Sequence, residues 1–294
     1  MPRLAERAAL LTAALVAGLA GCVAARTPLS RFDTGSAAVE IGTPEFVPQA
    51  RYPSVEALRA EIRGRGLLPL VLQSVRPQAE AIAQLRAGQA VLVRLSRGLP
   101  FFAHLDYAAW VGVDPANDRV LLRSAGQSAQ WMNFADFNTA WRAAGSWALV
   151  AAPPQRIPSF ATPDDWLSEA ASLAATQPAA AGQAYLAASR RWPQSPAVWL
   201  ALARWREAHD DLPGAMLAYA AAARVEPSNA ATHARLAQLL LLRQCADQAE
   251  DEIELALRYE TDPQRRAEDQ GVLAQIRDRG GPSVVCALEP NDGG

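Results

Sequence analysis

Large apolar residues and small residues in the C-terminal half of the chain recur with a period of 34 positions. The recurring positions are Tyr185, Tyr219 and Ile253 for the large residue, and Ala181, Ala215 and Ala249 for the small one. This period is too long for a single helix and fits a pair of helices. It therefore predicts a stack of helical hairpins in which each copy packs on the next.

The pattern changes to shorter elements between residues 43 and 153. Apolar positions at helical spacing, with Ser54 as a candidate N-cap, predict helices over 54–64, 77–87 and 134–144. A short apolar run covers 67–72, and further runs predict strands over 90–95, 108–113, 119–123 and 147–152. Helices followed by a largely antiparallel sheet indicate an α+β domain.

The first 22 residues have the pattern of an export signal. Arg3 and Arg7 precede an apolar run over 8–20, which is too short to be a strong membrane span. Residues 19–22 (LAGC) resemble the lipobox of bacterial lipoproteins. The resemblance implies that 1–21 is a signal peptide and that Cys22 carries the lipid.

Lipidation of Cys22 would anchor the protein to a membrane, because each buried methylene group of an acyl chain (a palmitate, for example) contributes roughly 0.8 kcal/mol. Residues 22–42 show no clear period and are interpreted as a tether. Val23, rather than an aspartate, follows the cysteine. By resemblance to Gram-negative lipoproteins, this implies the periplasmic side of the outer membrane. An ordinary signal peptide with an incidental cysteine is the alternative.

Composition narrows the possible functions. The 294 residues have a formal net charge of −2, which gives no electrostatic reason to expect a nucleic-acid partner. Three cysteines and three histidines are present, and none has the spacing of a zinc site. We therefore expect neither a metal nor a cofactor.

The fullest copy of the 34-residue pattern runs from 196 to about 229. Its signature positions are Trp199, Leu202, Ala203, Ala215, Tyr219, Ala222 and Pro227. This copy resembles the tetratricopeptide repeat, and the resemblance implies three repeats over 162–261, closed by a capping helix and tail over 262–294. Such arrays bind proteins or peptides on a concave surface. A generic Ala-rich helical bundle is the alternative.

The flanking copies depart from the signature. Asp165 takes the Trp position in the first copy, whose first helix is expected to lack the aromatic residue, and His233 takes it in the third. Candidate residues near the binding surface are Trp199, Arg206, Tyr219 and Arg235, although we favour Trp199 and Tyr219 as packing residues.

Two cysteines fall in the third copy and the tail. In an oxidising compartment Cys245 and Cys286 could form a disulfide. It would close a loop of about 40 residues and contribute roughly 4 kcal/mol in the chain-entropy model. Two unrelated thiols are the alternative.

Residues 43–153 resemble the papain-like cysteine peptidases that process bacteriocin leaders. Most closely, they resemble lipoproteins that join such a domain to tetratricopeptide repeats. Segments that carry the likeness include 66–69 (GLLP), 87–93 (AGQAVLV), 106–114 (DYAAWVGVD) and 141–149 (WRAAGSWAL). The resemblance implies a papain-like α+β domain followed by an all-α repeat solenoid.

The residues that such a peptidase needs are missing from 43–153. No cysteine lies there, and Asp106 occupies the position of the family's histidine base. Because a cysteine peptidase needs a thiolate activated by a histidine, we interpret the domain as a degenerate, inactive pseudo-peptidase. The alternative is an unconventional catalytic triad of His104 and Asp106 with Ser96 or Ser124.

The favoured function is an outer-membrane, periplasm-facing lipoprotein that acts as a scaffold for a protein or peptide partner. One alternative is an active cysteine peptidase-family hydrolase that acts on peptides in the envelope. A second is a structural lipoprotein whose array serves the assembly of a larger envelope machine.

Overall fold

The computed structural model describes residues 28–32, 37–98, 104–279 and 284–288. The expected signal peptide, the lipidated Cys22 and much of the tether lie outside these residues. The described residues divide into two compact units, one within 1–51 and 73–148 and the other within 52–72 and 149–294. Within the described ranges, no helix has the length and apolar character needed to cross a membrane.

The first unit is built on an antiparallel sheet. Its strands are β1 (Val39–Glu40), β3 (Val91–Arg97), β4 (His104–Asp114), β5 (Arg119–Arg123) and β6 (Gln130–Asn133). The order is β3-β4-β5-β6, and β1 pairs with the far end of β4, at Val113 and Gly112. Helices α2 (Pro77–Arg86) and α3 (Phe134–Ala143) belong to the same unit.

Strand β1 reaches β4 at a glycine. A β-carbon at Gly112 would lie 2.9 Å from the carbonyl oxygen of Val39 and 3.0 Å from the β-carbon of Leu121. The register between β4 and β5 also shifts between Trp110 and Gly112, which is the mark of a β-bulge. Position 112 therefore has no room for a side chain while β1 is paired.

An aromatic cluster forms the core of this unit. Trp110 of β4 packs against Phe137 and Trp141 of α3, with ring centroids 4.7 and 5.9 Å away. All three side chains are fully buried, and Trp141 Nε1 donates a hydrogen bond to the Trp147 carbonyl oxygen at 2.8 Å. Aromatic burial of this kind fixes α3 against the sheet.

The second unit begins with residues that precede most of the sheet in sequence. Helix α1 (Val55–Gly64) starts at Ser54, whose hydroxyl accepts a hydrogen bond from the Ala57 amide. Strand β2 (Leu68–Val71) pairs antiparallel with β7 (Ala148–Ala152), with Leu68 opposite Ala152 and Val71 opposite Leu149.

Seven helices follow within residues 163–278, joined by short connections. They are α4 (Pro163–Ala174), α5 (Pro178–Arg191), α6 (Pro196–Ala208), α7 (Leu212–Val225), α8 (Ala230–Leu242), α9 (Ala246–Tyr259) and α10 (Pro263–Asp278). Each helix packs against the next one along the chain, and together they form a helical repeat array. Several begin with proline at the first position, where its missing N–H costs no hydrogen bond.

The sequence predicted most of these elements. The helices over 54–64, 77–87 and 134–144 are confirmed within one residue at each end. The stack of helices predicted from the 34-residue period is confirmed as a helical array. Strand β4 starts four residues before the predicted 108, and strands β1 and β6 were not predicted. Strand β6 (QWMN) is short and mostly exposed, so it lacks the apolar alternation that would have marked it.

The expectation that the first repeat lacks an aromatic residue is wrong. Asp165 does stand at the Trp position, but the next residue, Trp166, is fully buried, and its Nε1 donates a hydrogen bond to the Ala184 carbonyl oxygen of α5. Four apolar signature residues of the second repeat are also buried: Leu202, Ala203, Ala215 and Ala222. Pro227 lies two residues beyond the end of α7.

A disulfide joins Cys245, which precedes α9, to Cys286 in the tail, with 5.9 Å between their α-carbons. The Gln248 side chain also holds the tail. Its amide nitrogen donates to the Cys286 carbonyl oxygen at 3.0 Å, and its oxygen accepts from the Cys286 amide at 2.6 Å. Residues 284–288 are thereby fixed against the start of α9.

Candidate functional site

A cavity along the repeat array lies between α6, α7 and α8. It has a volume of about 430 Å³ and is lined by Leu200, Arg204, Tyr219, Asn229, Ala231, Thr232 and Arg235. Its lining residues come from the first helix of two successive repeats, with Tyr219 between them. A cavity with an apolar wall and several polar groups is the usual form of a site that binds part of another molecule.

Hydrogen bonds hold the polar groups of this cavity in place. The Tyr219 hydroxyl donates to Glu207 Oε2 at 3.0 Å, and Arg235 Nε donates to the same oxygen at 3.2 Å. Burial raises the pKa of Tyr219, so the hydroxyl stays protonated and remains a donor. Arg204 is an exposed cation at the rim of the cavity.

The structure brings together only some of the predicted surface residues. Tyr219 and Arg235 line the cavity, whereas Arg206 donates to the Gly214 carbonyl oxygen and Trp199 is half-buried beside Pro193. Sequence reasoning missed Arg204, which lies 31 residues before Arg235 and so does not follow the 34-residue period. It also missed Leu200 and Asn229.

His233 occupies the position that Trp199 has in the preceding repeat. Its ring is buried between two acceptors, with Nδ1 2.6 Å from Glu252 Oε2 and Nε2 2.9 Å from the Pro227 carbonyl oxygen. Both ring nitrogens must carry a proton to donate both bonds. The hydrogen bond to Glu252 is the main reason that the pKa of His233 is raised above its ordinary value of 6.5.

This linkage predicts a pH-dependent stability. The pKa of His233 is higher in the folded than in the unfolded protein, so its contribution is fully present below pH 6.5 and is lost as pH rises through the raised value. We expect Glu252→Gln to lower the pKa of His233 and to flatten this part of the pH profile. NMR titration of the His233 ring, together with urea unfolding at several pH values, would check this. A His233 pKa at or below 6.5 in the unmodified protein would contradict it.

Asp106 lies in an ion-pair cluster on β4. Its carboxylate is 3.3 Å from His104 Nε2, 3.5 Å from Arg51 Nε and 3.7 Å from Arg97 Nε. His104 is the first residue of the strand and its side chain is 44% exposed. Asp106 therefore pairs with the basic side chains around the start of β4.

The two candidate serines do not complete a triad with these residues. Ser96 is paired with Leu105 across the β3–β4 ladder, and side chains alternate along a strand, so it faces the opposite side of the sheet from His104 and Asp106. The Ser124 hydroxyl donates to the Tyr107 carbonyl oxygen at 3.0 Å. Over the described ranges, neither serine has a hydrogen bond to His104.

Metal binding has no visible basis in the part of the chain that the structure describes, where no group of three or more His, Cys, Asp or Glu side chains could hold an ion. The two C-terminal cysteines are joined to each other.

Comparison with known proteins gives weak matches only. The chain matches no protein-family model and no curated protein. Among solved structures, the Yersinia enterocolitica type III secretion chaperone SycD in complex with a peptide of the translocator YopD is 16% identical, with a TM-score of 0.36 over 40% of this chain and 92% of that one. Another structure of SycD is 17% identical, with a TM-score of 0.36 over 40% of this chain and 83% of that one.

Proposed function

We propose that the protein is a scaffold that binds a protein or peptide through its repeat array, which we assign to the tetratricopeptide type. It would be anchored through Cys22 to the outer membrane, on the periplasmic side. The domain over 43–153 would be a papain-like peptidase domain without activity.

The observation that carries the binding proposal is the cavity between α6, α7 and α8. Its walls combine the apolar side chain of Leu200 and the exposed charge of Arg204 with the side chains of Tyr219 and Arg235, which hydrogen bonds to Glu207 hold in place. An extended chain offers carbonyl oxygens and carboxylates that the guanidinium group of Arg204 can recognise. Arginine and tyrosine are also enriched among the residues that dominate protein interfaces.

The proposal of an inactive domain rests on chemistry that the sequence lacks. No thiol lies within 43–153, and a cysteine peptidase cannot form its acyl intermediate without one. Asp106, in place of the base, is surrounded by Arg51, Arg97 and His104. No observation favours the alternative of an active peptidase.

Selection from a phage-displayed library of random dodecapeptides would test the binding proposal. We expect immobilised protein to enrich peptides that bind at the cavity, and Arg204→Glu to weaken their binding by about ten-fold or more, since a charge pair with the rim is replaced by repulsion. Arg258→Glu is the matched control. It makes the same charge change on α9, at an exposed position that does not line the cavity.

Two outcomes would count against this function. If no peptide is enriched, the array does not act as a peptide-binding surface. If the enriched peptides respond equally to both substitutions, binding occurs elsewhere or depends only on overall charge.

Lipidation is tested separately, by metabolic labelling with a palmitate analogue in a Gram-negative host. We expect the protein to be labelled and to enter the detergent phase in Triton X-114 partitioning, and Cys22→Ser to abolish both, because the thiol is the acylation site. Cys286→Ser, which also removes one cysteine, should retain the label. Labelling that persists in the Cys22 variant would refute the anchor.

A further inference from the structure

A second cavity along the array, formed by α8, α10 and the residue that follows α9, has a different charge. Its volume is about 210 Å³, far more than the roughly 30 Å³ that one water molecule occupies. It is lined by Ala231, Ala234, Arg235, Gln238, Glu260, Arg265, Glu268 and Asp269. Because Ala231 and Arg235 also line the 430 Å³ cavity, the two cavities adjoin each other along α8, and together they are called the groove.

Asp269 is the unusual group in this second cavity. The residue is only 6% exposed, yet within the described ranges no group donates a hydrogen bond to its carboxylate and no cation forms an ion pair with it. The carboxylate oxygens themselves are not fully buried and face the open space of the cavity, where a donor from a ligand could reach them. Burial and the nearby charges of Glu260 and Glu268 raise the pKa of Asp269.

The lining as a whole carries a net negative charge. Three carboxylates, Glu260, Glu268 and Asp269, face two arginines. Arg235 is already held by an ion pair with Glu207 and a 2.7 Å hydrogen bond to Gln238. That leaves Arg265 against three acidic groups among the lining residues, a local excess of two negative charges.

We propose that this second cavity holds the side chain of a lysine or arginine of the bound peptide. The inference rests on the proposed peptide-binding function and specifies the ligand for the same groove. A basic side chain would supply the donors that the Asp269 carboxylate lacks, and Glu268 would add a second, more exposed carboxylate. The neighbouring cavity, with Arg204 at its rim, would then receive an acidic or carbonyl-rich part of the same segment.

The test uses the full chain and the dodecapeptides enriched from the library, with Asp269→Asn as the main variant. We expect the peptides to share a lysine or arginine and to bind D269N about ten-fold more weakly or worse, which is the usual size of a lost charge-assisted hydrogen bond. Asp278→Asn is the control, since it removes the same charge from the same helix at an exposed position outside the cavity. Its binding should stay within two-fold of the original.

A double-mutant cycle tests whether the shared lysine of the peptide pairs with Asp269. Norleucine in place of the shared lysine should weaken binding to the original protein and have little further effect on D269N. This inference would be overturned if norleucine weakened binding to both proteins equally, or if the enriched peptides contained no basic residue. If Arg204→Glu still weakened peptide binding in that case, the proposed function would stand. If no peptide is enriched, both fall.

Folding of the variant is controlled independently. Because D269N loses a buried charge and no hydrogen bond, its urea midpoint should equal or exceed that of the original protein. If D269N were to unfold, Glu268→Gln provides the second variant, since Glu268 is exposed and lines the same cavity. Unchanged binding of a lysine-containing peptide to E268Q would then count against the proposal.

Discussion

Replacing Trp166 by alanine is expected to destabilise the helical array by about 3–5 kcal/mol, the range for the loss of a large aromatic side chain from a packed core. Trp166 is fully buried in α4, and its indole nitrogen donates a 2.8 Å hydrogen bond to the Ala184 carbonyl oxygen of α5. The alanine variant therefore loses both the packing and the bond. Urea unfolding followed by circular dichroism at 222 nm measures the change.

Two control variants separate the contributions of the hydrogen bond and of burial to the stability change. Trp166→Phe keeps most of the ring volume and loses the N–H donor, so it should cost about 1 kcal/mol beyond the small change in volume. Trp199→Ala removes the same side chain from a half-buried position in α6, and we expect about 1–2 kcal/mol. If W166A and W199A cost the same, Trp166 is not the aromatic centre of the first repeat.

Trp166 and Trp199 show which features of the array a periodic sequence pattern can predict. The 34-residue spacing predicted the helices of the array because small residues recur where helices meet, and Ala203, Ala215 and Ala222 are buried there. The same spacing placed Asp165 in the aromatic position, one residue before Trp166. Which residue of a helix turns inward depends on the packing of that helix, and a shift of one residue rotates the side chain by about 100°.

The candidate groove was harder to predict than the helices. Arg204 and Arg235 lie 31 residues apart and meet only because α6 and α8 line the same cavity. Asn229 has the pattern of an ordinary helix cap, and it does accept a hydrogen bond from the Thr232 amide at 3.1 Å. Asp269 lies in the helix predicted to cap the array, where nothing in the sequence distinguishes it from its polar neighbours, although the structure buries the residue. Residues of a binding surface need not share a period, because the partner, rather than the repeat, decides which side chains are useful.

An ionic cluster within the second unit is a further contact that the sequence did not predict. Glu169 of α4 accepts hydrogen bonds from Arg59 and Arg63 of α1, more than 100 residues earlier in the chain. The Arg63 Nε bond is 3.1 Å long, and the Glu169 side chain is 8% exposed. Nothing in the local sequence of either helix indicates this contact, although it joins α1 to the array.

Glu169→Gln is expected to destabilise this unit by about 2–3 kcal/mol. Breaking a fully buried ion pair by removing one partner costs about 3–5 kcal/mol, and the smaller value follows because Arg59 and Arg63 are 23% and 18% exposed and so keep some hydration. Glutamine preserves the shape but leaves two guanidinium groups facing a neutral amide. Urea unfolding of the variant measures the loss.

Glu56→Gln is the matched control for this prediction, because Glu56 contacts the same two arginines from the solvent side. Its carboxylate lies 2.7 Å from Arg63 Nη1 and 3.6 Å from Arg59 Nε, but its side chain is 68% exposed. Exposed ion pairs contribute little, so E56Q should change stability by less than about 1 kcal/mol. A cost for E169Q no larger than that for E56Q would mean that the contact between α1 and α4 is maintained by apolar packing alone. A clear difference would instead establish the Glu169 carboxylate as the charge that holds both arginines, and with them α1, against the first helix of the array.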